Sequence, residues 1–360
     1  MKTILTTLLI TLFLSTNVTN GQEKYQTQNV VLVTLDGYRW QEVFQGIDST
    51  LLYSNFTRNK AELEEKYWKS TTIERSIALN PFFQGYVAKN GVLLGNRNIK
   101  SEVDCTNKMW FSYPGYNEIL TGKADDKNIK SNDKIPNPNV TFLEVLNKTK
   151  GFKNGVAAFG SWDVFPYIVN EERSGVYVNA GFEKATHKKL STTEVFLNKF
   201  QEEVSSPWTE VRLDAFTHRF AMEYMKNLKP RVTYIAYGET DDFAHDGNYT
   251  KYIESAYLAN IFLMELWNFI QHDKFYANKT TLIVTTDHGR GTIPLESWKN
   301  HGSRVNGADQ IWIAMIGPDT KNIGNTLKGK FRQSQIAPTI MKLLEVPFDS
   351  GEKPLELLIN

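Results

Sequence analysis

The sequence predicts an α/β fold with a mostly parallel central sheet covered by helices on both faces, and carrying cap insertions. Three observations predict the sheet and its cover. Short apolar runs rich in Val, Ile, Leu and Thr recur along the chain, amphipathic stretches of helical length separate them, and acidic residues stand where several of the apolar runs stop. Strands buried on both faces read as continuous apolar runs, and strand–helix–strand order builds parallel sheets.

In chain order, strands are expected at 29–35 (NVVLVTL), 155–159 (GVAAF), 232–237 (VTYIAY), 281–286 (TLIVTT) and 311–316 (IWIAMI). Helices are expected at 138–148, 213–227, 249–272 and 335–344. A chain of 360 residues with 41% hydrophobic content can bury a large core. We read residues 22–360 as one domain with insertions near 40–104 and 161–213. The first insertion carries Tyr53, Phe56, Tyr67 and Trp68, and the second Trp162, Phe165, Tyr167, Tyr177 and Trp208. Aromatics there would either cap the site, stacking a base or an aryl group, or pack the insertions on the domain.

The N-terminus follows a different pattern. Lys2 precedes an apolar run at 4–14, and a polar stretch follows at 15–21. This is the layout of a secretory signal peptide, read as 1–21 with removal near Gly21 or Gln22. The run is too short for a membrane span, which needs about 20 residues. Cys105 is the one cysteine, so no intramolecular disulfide can form, which fits a bacterial periplasmic or secreted protein. Net charge is +1, so no global field favours a nucleic-acid polymer or an anionic membrane. An anionic small-molecule substrate must be held locally.

Polar residues at the strand ends supply the means. Asp36 ends the first strand, Asp241 follows the third by a few residues, and Asp287-His288 ends the fourth. Ligand sites of open α/β sheets gather at the carboxyl ends of strands. Asp241 and His245 are four residues apart, on one face of a helical turn, and Asn300-His301-Gly302 adds a further imidazole. Asp and neutral His supply oxygen and nitrogen donors without thiolate, a set that favours zinc, with other divalent ions harder to exclude. Six such side chains divide into three for each of two ions. Two cations about 4 Å apart stabilise both the attacking and the leaving oxygen of an in-line displacement. In 111–122 (FSYPGYNEILTG), Ser112 stands just before a Pro at an expected helix start, where backbone N–H groups favour an anion. An ordinary Ser cap is the plain reading of that segment alone.

Taken together, these motifs resemble the alkaline phosphatase superfamily. Asp36-Gly37-Tyr38-Arg39-Trp40 is similar to the opening of its nucleotide pyrophosphatase/phosphodiesterase-like branch, and Ile336-Ala337-Pro338-Thr339-Ile340 is similar to a late helix of these enzymes. The resemblance implies that Asp241, His245 and His301 bind one metal. It implies that Asp36, Asp287 and His288 bind the other, with Ser112 bridging towards it as the residue that becomes phosphorylated. The family also holds a phosphoryl oxygen with an Asn downstream of the nucleophile, for which Asn132 is the candidate and Asn137 the alternative.

Two departures stand out. The phosphodiesterase branch usually carries Thr at the place of Ser112 and Pro-Asn-His where this chain has Pro114-Gly115-Tyr116. Sulfatases require Cys or Ser followed by x-Pro-x-Arg, and Tyr116 replaces that Arg. The expectation is an exported two-metal hydrolase of phosphoric esters, either a phosphatase or a phosphodiesterase, acting through a phosphoserine. The alternatives are a sulfatase or phosphonate hydrolase of the same superfamily, or a catalytically silent binding protein. Arg39, Lys108 and Arg304 could help bind substrate charge, but long basic side chains of this kind read first as solvated surface residues. His187, His218 and His272 have no partner pattern and read as structural or exposed.

Overall fold

The computed structural model describes residues 25–360, so the expected signal segment at 1–21 lies outside the described residues. The strands in chain order are β1 (Asn29–Leu35), β2 (Val92–Leu94), β3 (Ser101–Asp104), β4 (Val156–Gly160), β5 (Tyr177–Ala180), β6 (Val232–Tyr237), β7 (Thr280–Thr285), β8 (Gln310–Ile311), β9 (Ile313–Ile316) and β10 (Gly329–Arg332). Seven of them form one sheet in the order β2-β9-β7-β1-β6-β4-β5. From β7 to β5 every pairing is parallel, and β9 is antiparallel to both of its neighbours. A small second sheet has the order β10-β3-β8.

All residues of β1, β6 and β7 are buried, which is why these strands read as unbroken apolar runs. Alternation then divides their side chains between two cores. Val31, Val33 and Leu35 face the layer that holds the Asp214–Leu228 and Tyr249–His272 helices. Val30 and Leu32 face the opposite layer, with the Ser112–Thr121, Phe142–Lys148 and Ile336–Leu343 helices. Each such side chain contributes roughly 1.5–3 kcal/mol by its burial. A charge placed on β1 would therefore be disruptive whichever face it occupied.

Two sequence expectations need correction. The helix expected at 138–148 is Phe142–Lys148, because Thr141 caps it by accepting from the Glu144 N–H at 3.1 Å. Upstream, the Asn137 side chain accepts from the Asn139 N–H at 2.9 Å, which makes that stretch a turn. The run 311–316 is two strands in two sheets. Ile311 pairs with Val103 of β3, whereas β9 pairs with β7. Between them the fully buried Trp312 donates its indole N–H to the Tyr38 carbonyl at 2.8 Å, and Thr285 Oγ1 takes up the Trp312 carbonyl at 2.6 Å. One large side chain with its own hydrogen-bond demand moves the strand from one sheet to the other.

The first insertion supplies β2, an edge of the main sheet, and β3 of the small sheet. Two of its aromatics pack on the body of the molecule, Phe56 meeting Trp298 with ring centroids 5.6 Å apart and Tyr67 meeting Tyr257 at 5.5 Å, whereas Tyr53 is exposed and meets Trp68 of the same insertion at 6.3 Å. Among the described residues no helix is long and apolar enough to cross a membrane.

Candidate metal centre and nucleophile

The strands β7, β1 and β6 are adjacent and parallel, so the residues at their carboxyl ends meet in one place. Asp36 comes directly after β1, Asp287 and His288 come after β7, and the Glu239–His245 helix comes after β6. The Asp36 N–H donates to the Tyr237 carbonyl at 3.0 Å, fixing its height above the sheet. Gly37 then turns the chain at φ +57° and donates its N–H to Asp287 Oδ1 at 3.0 Å. A Cβ at Gly37 would lie 2.7 Å from Asp241 Oδ1, so both conformation and space call for glycine.

Two groups of side chains converge there: Asp36, Asp287 and His288 form one, and Asp241, His288 and His301 the other. His288 Nε2 lies 3.3 Å from Asp36 Oδ1, 3.4 Å from Asp287 Oδ2 and 3.7 Å from Asp241 Oδ1. His245 joins the second group, with Nε2 3.1 Å from Asp241 Oδ2 and 2.9 Å from His301 Nε2. His288 Nδ1 donates to the Gly289 carbonyl at 2.9 Å, which leaves the Nε2 lone pair facing the carboxylates.

Ser112 is the first residue of the Ser112–Thr121 helix, and its Oγ is 3.5 Å from His288 Nε2. Gly115 in that helix lies against the Asp287 backbone, where a Cβ would clash with the Asp287 carbonyl, so glycine permits the approach. Behind the helix, the buried Glu118 carboxylate accepts from the N–H groups of Thr106 and Asn107 and from their side chains, at 2.7–3.0 Å. Asn107 Oδ1 in turn accepts from the N–H groups of Met109 and Trp110. This chain of bonds fixes the loop that delivers Ser112. The Tyr113 N–H is not free for an anion, because Asn132 Oδ1 accepts it at 3.0 Å. That bond orients the Asn132 amide with its Nδ2 as the remaining donor.

Electrostatics make the cluster receptive to cations. Burial pushes the Asp36 carboxyl well above the usual carboxylate range, and the neighbouring Asp241 pushes it further. Burial and then Asp36 do the same to Asp287. Burial also raises Asp241, but Arg290 with the imidazoles of His245 and His301 outweighs it and holds that carboxyl well below its usual range. Asp36 Oδ1 and Asp287 Oδ2 are buried without a hydrogen-bond partner. Oxygen and nitrogen donors crowded at this distance, with orphaned carboxylate oxygens aimed inward, fit a divalent ion.

The cleft above has a volume of about 200 Å³ and is lined by Asp36, Ser112, Asn132, Asp241, His245 and His301, together with Trp162, Val211, Gly238 and Asp242. Burial, followed by repulsion from Asp241 and Asp36, pushes the Asp242 carboxyl up to about 9. Thus every metal, nucleophile and Asn132 position read from the sequence meets in one place. Asn137 does not: it is buried, with its amide donating to Asn117 and to the Ile168 carbonyl. Arg39, expected at the surface, is buried and paired with Glu42 and Asp48. Lys108 and Arg304 are exposed. His187 is bonded to Glu194 at 2.7 Å, and His218 to the Tyr237 hydroxyl at 2.8 Å. His272 lies exposed at a helix end.

Sequence reasoning missed Arg290. Its buried guanidinium donates to the Asp241 carboxylate, to the Gly37 carbonyl at 3.2 Å and to the Lys299 carbonyl at 2.6 Å, tying three segments together. Its position directly after Asp287-His288-Gly289 was the available signal.

No sequence-family model matches the chain, and no curated protein matches it. Solved structures do. Wild-type alkaline phosphatase PafA superposes with a TM-score of 0.62 at 12% identity, covering 95% of this chain and 100% of that one. The 2-O GAG sulfatase BT1596 gives 0.58 at 11%, covering 92% and 73%. An inactive form of murine ectonucleotide pyrophosphatase/phosphodiesterase 5, in complex with AMP, gives 0.54 at 14%, covering 89% and 97%. At such identities the similarity is one of architecture: this chain has the fold that these three proteins share.

Proposed function

We propose that this chain is an exported hydrolase of phosphoric esters in the alkaline phosphatase superfamily, acting through a phosphoserine on Ser112. The observation that carries the reading is the Ser112 hydroxyl, set at a helix start within 3.5 Å of His288 Nε2 and beside the two ligand groups. Asp36, Asp287 and His288 would hold one divalent ion and Asp241, His245 and His301 the other, with zinc the ion that the donor set favours. Bound there, the ions would lower the pKa of the Ser112 hydroxyl and stabilise charge on the attacking and departing oxygens.

The residues of the chain then act in two steps. Ser112 Oγ gives up its proton and bonds to phosphorus as the bond to the departing alkoxide breaks and the alkoxide takes up a proton, while Asn132 Nδ2 holds a non-bridging oxygen. Water next attacks phosphorus from the side opposite Ser112, the Oγ–P bond breaks, and a proton returns to Ser112. Two in-line displacements retain configuration at phosphorus.

The lining supports a diester over a monoester. Among the described residues it includes no lysine or arginine to balance a second phosphate charge, and Trp162 and Val211 offer an apolar wall to a second ester group. A nucleotide is one such group to test, since a protein of this fold is solved with AMP. The sulfatase reading loses support because Tyr116 occupies the place of the required Arg. Export rests on the sequence of residues 1–21 alone.

The test is steady-state hydrolysis of p-nitrophenyl phosphate and bis-p-nitrophenyl phosphate by the zinc-loaded mature protein. The diester should turn over faster, EDTA should abolish turnover, and Ser112→Ala should lose on the order of 10³-fold or more in kcat with zinc content unchanged. Full activity in Ser112→Ala would make water the direct attacker and end the phosphoserine reading. Silence on both esters would favour a sulfatase, a phosphonate hydrolase or a binding protein.

A further inference from the structure

Tyr116 lies one helical turn beyond Ser112, at the i+4 position, so the two share a face of their helix. Its side chain is fully buried. The hydroxyl donates to Asp36 Oδ2 at 2.7 Å, and the ring packs on Phe165 with centroids 4.8 Å apart. Phe165 in turn meets Trp162, the wall of the cleft, at 6.5 Å. The other Asp36 oxygen, Oδ1, is buried, unpartnered and 3.3 Å from His288 Nε2. A carboxylate held by one oxygen cannot rotate freely about its Cβ–Cγ bond, and a hydroxyl on that oxygen leaves only the other to face the site.

We infer that Tyr116 is a positioning residue for the buried metal site, holding Asp36 so that Oδ1 alone is presented to the ion. The inference rests on the reading of Asp36 as a ligand. Partners of this kind orient ligating side chains, and their removal typically costs about 10–100-fold in metal affinity. It also gives a role to the residue that stands in place of the sulfatase Arg. The helix that carries the nucleophile is thereby bonded to a ligand of the buried ion, so that Ser112 and that ion keep a fixed relation.

The experiment is zinc titration of the metal-free protein in competition with a chromophoric chelator, for the parent, Tyr116→Phe, Tyr234→Phe and Asp36→Ala. Tyr234 is the control: its buried hydroxyl bonds to Thr34 Oγ1 at 3.0 Å and has no hydrogen bond to Asp36. The parent should bind two ions and Asp36→Ala should lose one. Tyr116→Phe should keep two, one of them weakened by about 10–100-fold, while Tyr234→Phe matches the parent. Parental affinity in Tyr116→Phe, or equal weakening in Tyr234→Phe, would overturn the inference while leaving the ligand reading intact. Two ions at parental affinity in Asp36→Ala would overturn the ligand reading, and the inference with it. Should Tyr116→Phe not fold, the folded parent still answers: zinc binding must produce a tyrosine difference band in the ultraviolet, and its absence overturns the inference.

Discussion

Asp36, Asp287 and His288 stand on the ends of β1 and β7 with their side chains enclosed, whereas Asp241, His245 and His301 come from a short helix and a loop, and the His245 side chain is 43% exposed. The enclosed group is held by the sheet itself. The Gly37 N–H donates to Asp287 Oδ1, Gln333 Nε2 donates to the Asp287 carbonyl at 2.7 Å, and the strand ladders fix both backbones. The open group depends on Arg290, whose guanidinium joins Asp241 to the segment leading to His301. One half of the centre is therefore a property of the fold, and the other of a few side chains. On the proposed two-ion reading, that difference predicts a retained ion in the enclosed half and an exchangeable one in the open half.

Substitution of one proposed ligand in each half puts the comparison at risk. In Asp287→Ala a buried acceptor disappears, the Gly37 N–H is left unpaired at a cost of about 1–3 kcal/mol, and a proposed ligand is lost. We expect activity to fall by more than about 10²-fold without recovery at high zinc. His245→Ala removes an exposed side chain, so unfolding free energy should change by no more than about 0.5 kcal/mol, and added zinc should restore activity in part. Urea unfolding and the zinc dependence of turnover measure both variants. Recovery in Asp287→Ala and none in His245→Ala would reverse the assignment of the two halves.

A smaller effect belongs to Asn132, which touches neither ligand group. Asn132→Ala removes the remaining amide donor from the cleft and frees the Tyr113 N–H at the helix start. We expect kcat/KM to fall about 10–100-fold with zinc affinity unchanged, since a charge-assisted hydrogen bond contributes roughly 1.5–3 kcal/mol. A change in zinc affinity instead would make Asn132 part of the support of the metal site.

The same contrast explains what could be read in advance. Asp36 and Asp287-His288 were legible because an apolar strand that stops at ligand-type residues is a local pattern. Asp241 and His245 were legible because four residues make one helical turn. The roles of Tyr116, Glu118 and Arg290 were not, because what each does is decided by a partner remote in sequence: Tyr116 reaches Asp36, Glu118 reaches the loop before Ser112, and Arg290 reaches Asp241. Nor did the run 311–316 reveal its division at Trp312, since a strand that changes sheets remains apolar throughout. The two insertions also diverge. Aromatic content alone did not distinguish the packed Phe56 and Tyr67 from Trp162, which lines the cleft.

The open half has one further support, which makes the last and smallest prediction. Asp214 caps the start of the segment that carries Asp241 and His245. Its Oδ1 accepts from Ser161 at 2.6 Å and from the Gly238 N–H at 2.8 Å, its Oδ2 accepts from the Glu239 N–H at 3.2 Å, and its own N–H donates to Glu239 Oε1 at 2.9 Å. Burial pushes the Asp214 carboxyl up to about 6, although the hydrogen bonds from Ser161, Gly238 and Glu239 offset part of that rise. The unfolded chain releases this proton near pH 4, so the folded state binds it more tightly. The contribution of this group to stability is full below about pH 4 and is lost as pH rises through about 6, amounting to about 1–3 kcal/mol. In urea unfolding of the metal-free protein, the parent should lose that much between pH 4 and 6 relative to Asp214→Asn, whose side chain cannot ionise. Parallel profiles for the two proteins would show that Asp214 ionises in the folded state near its ordinary range and is charged by pH 6. The cap would then act with a full charge on the helix start, and the open half would be anchored more firmly than its exposure implies.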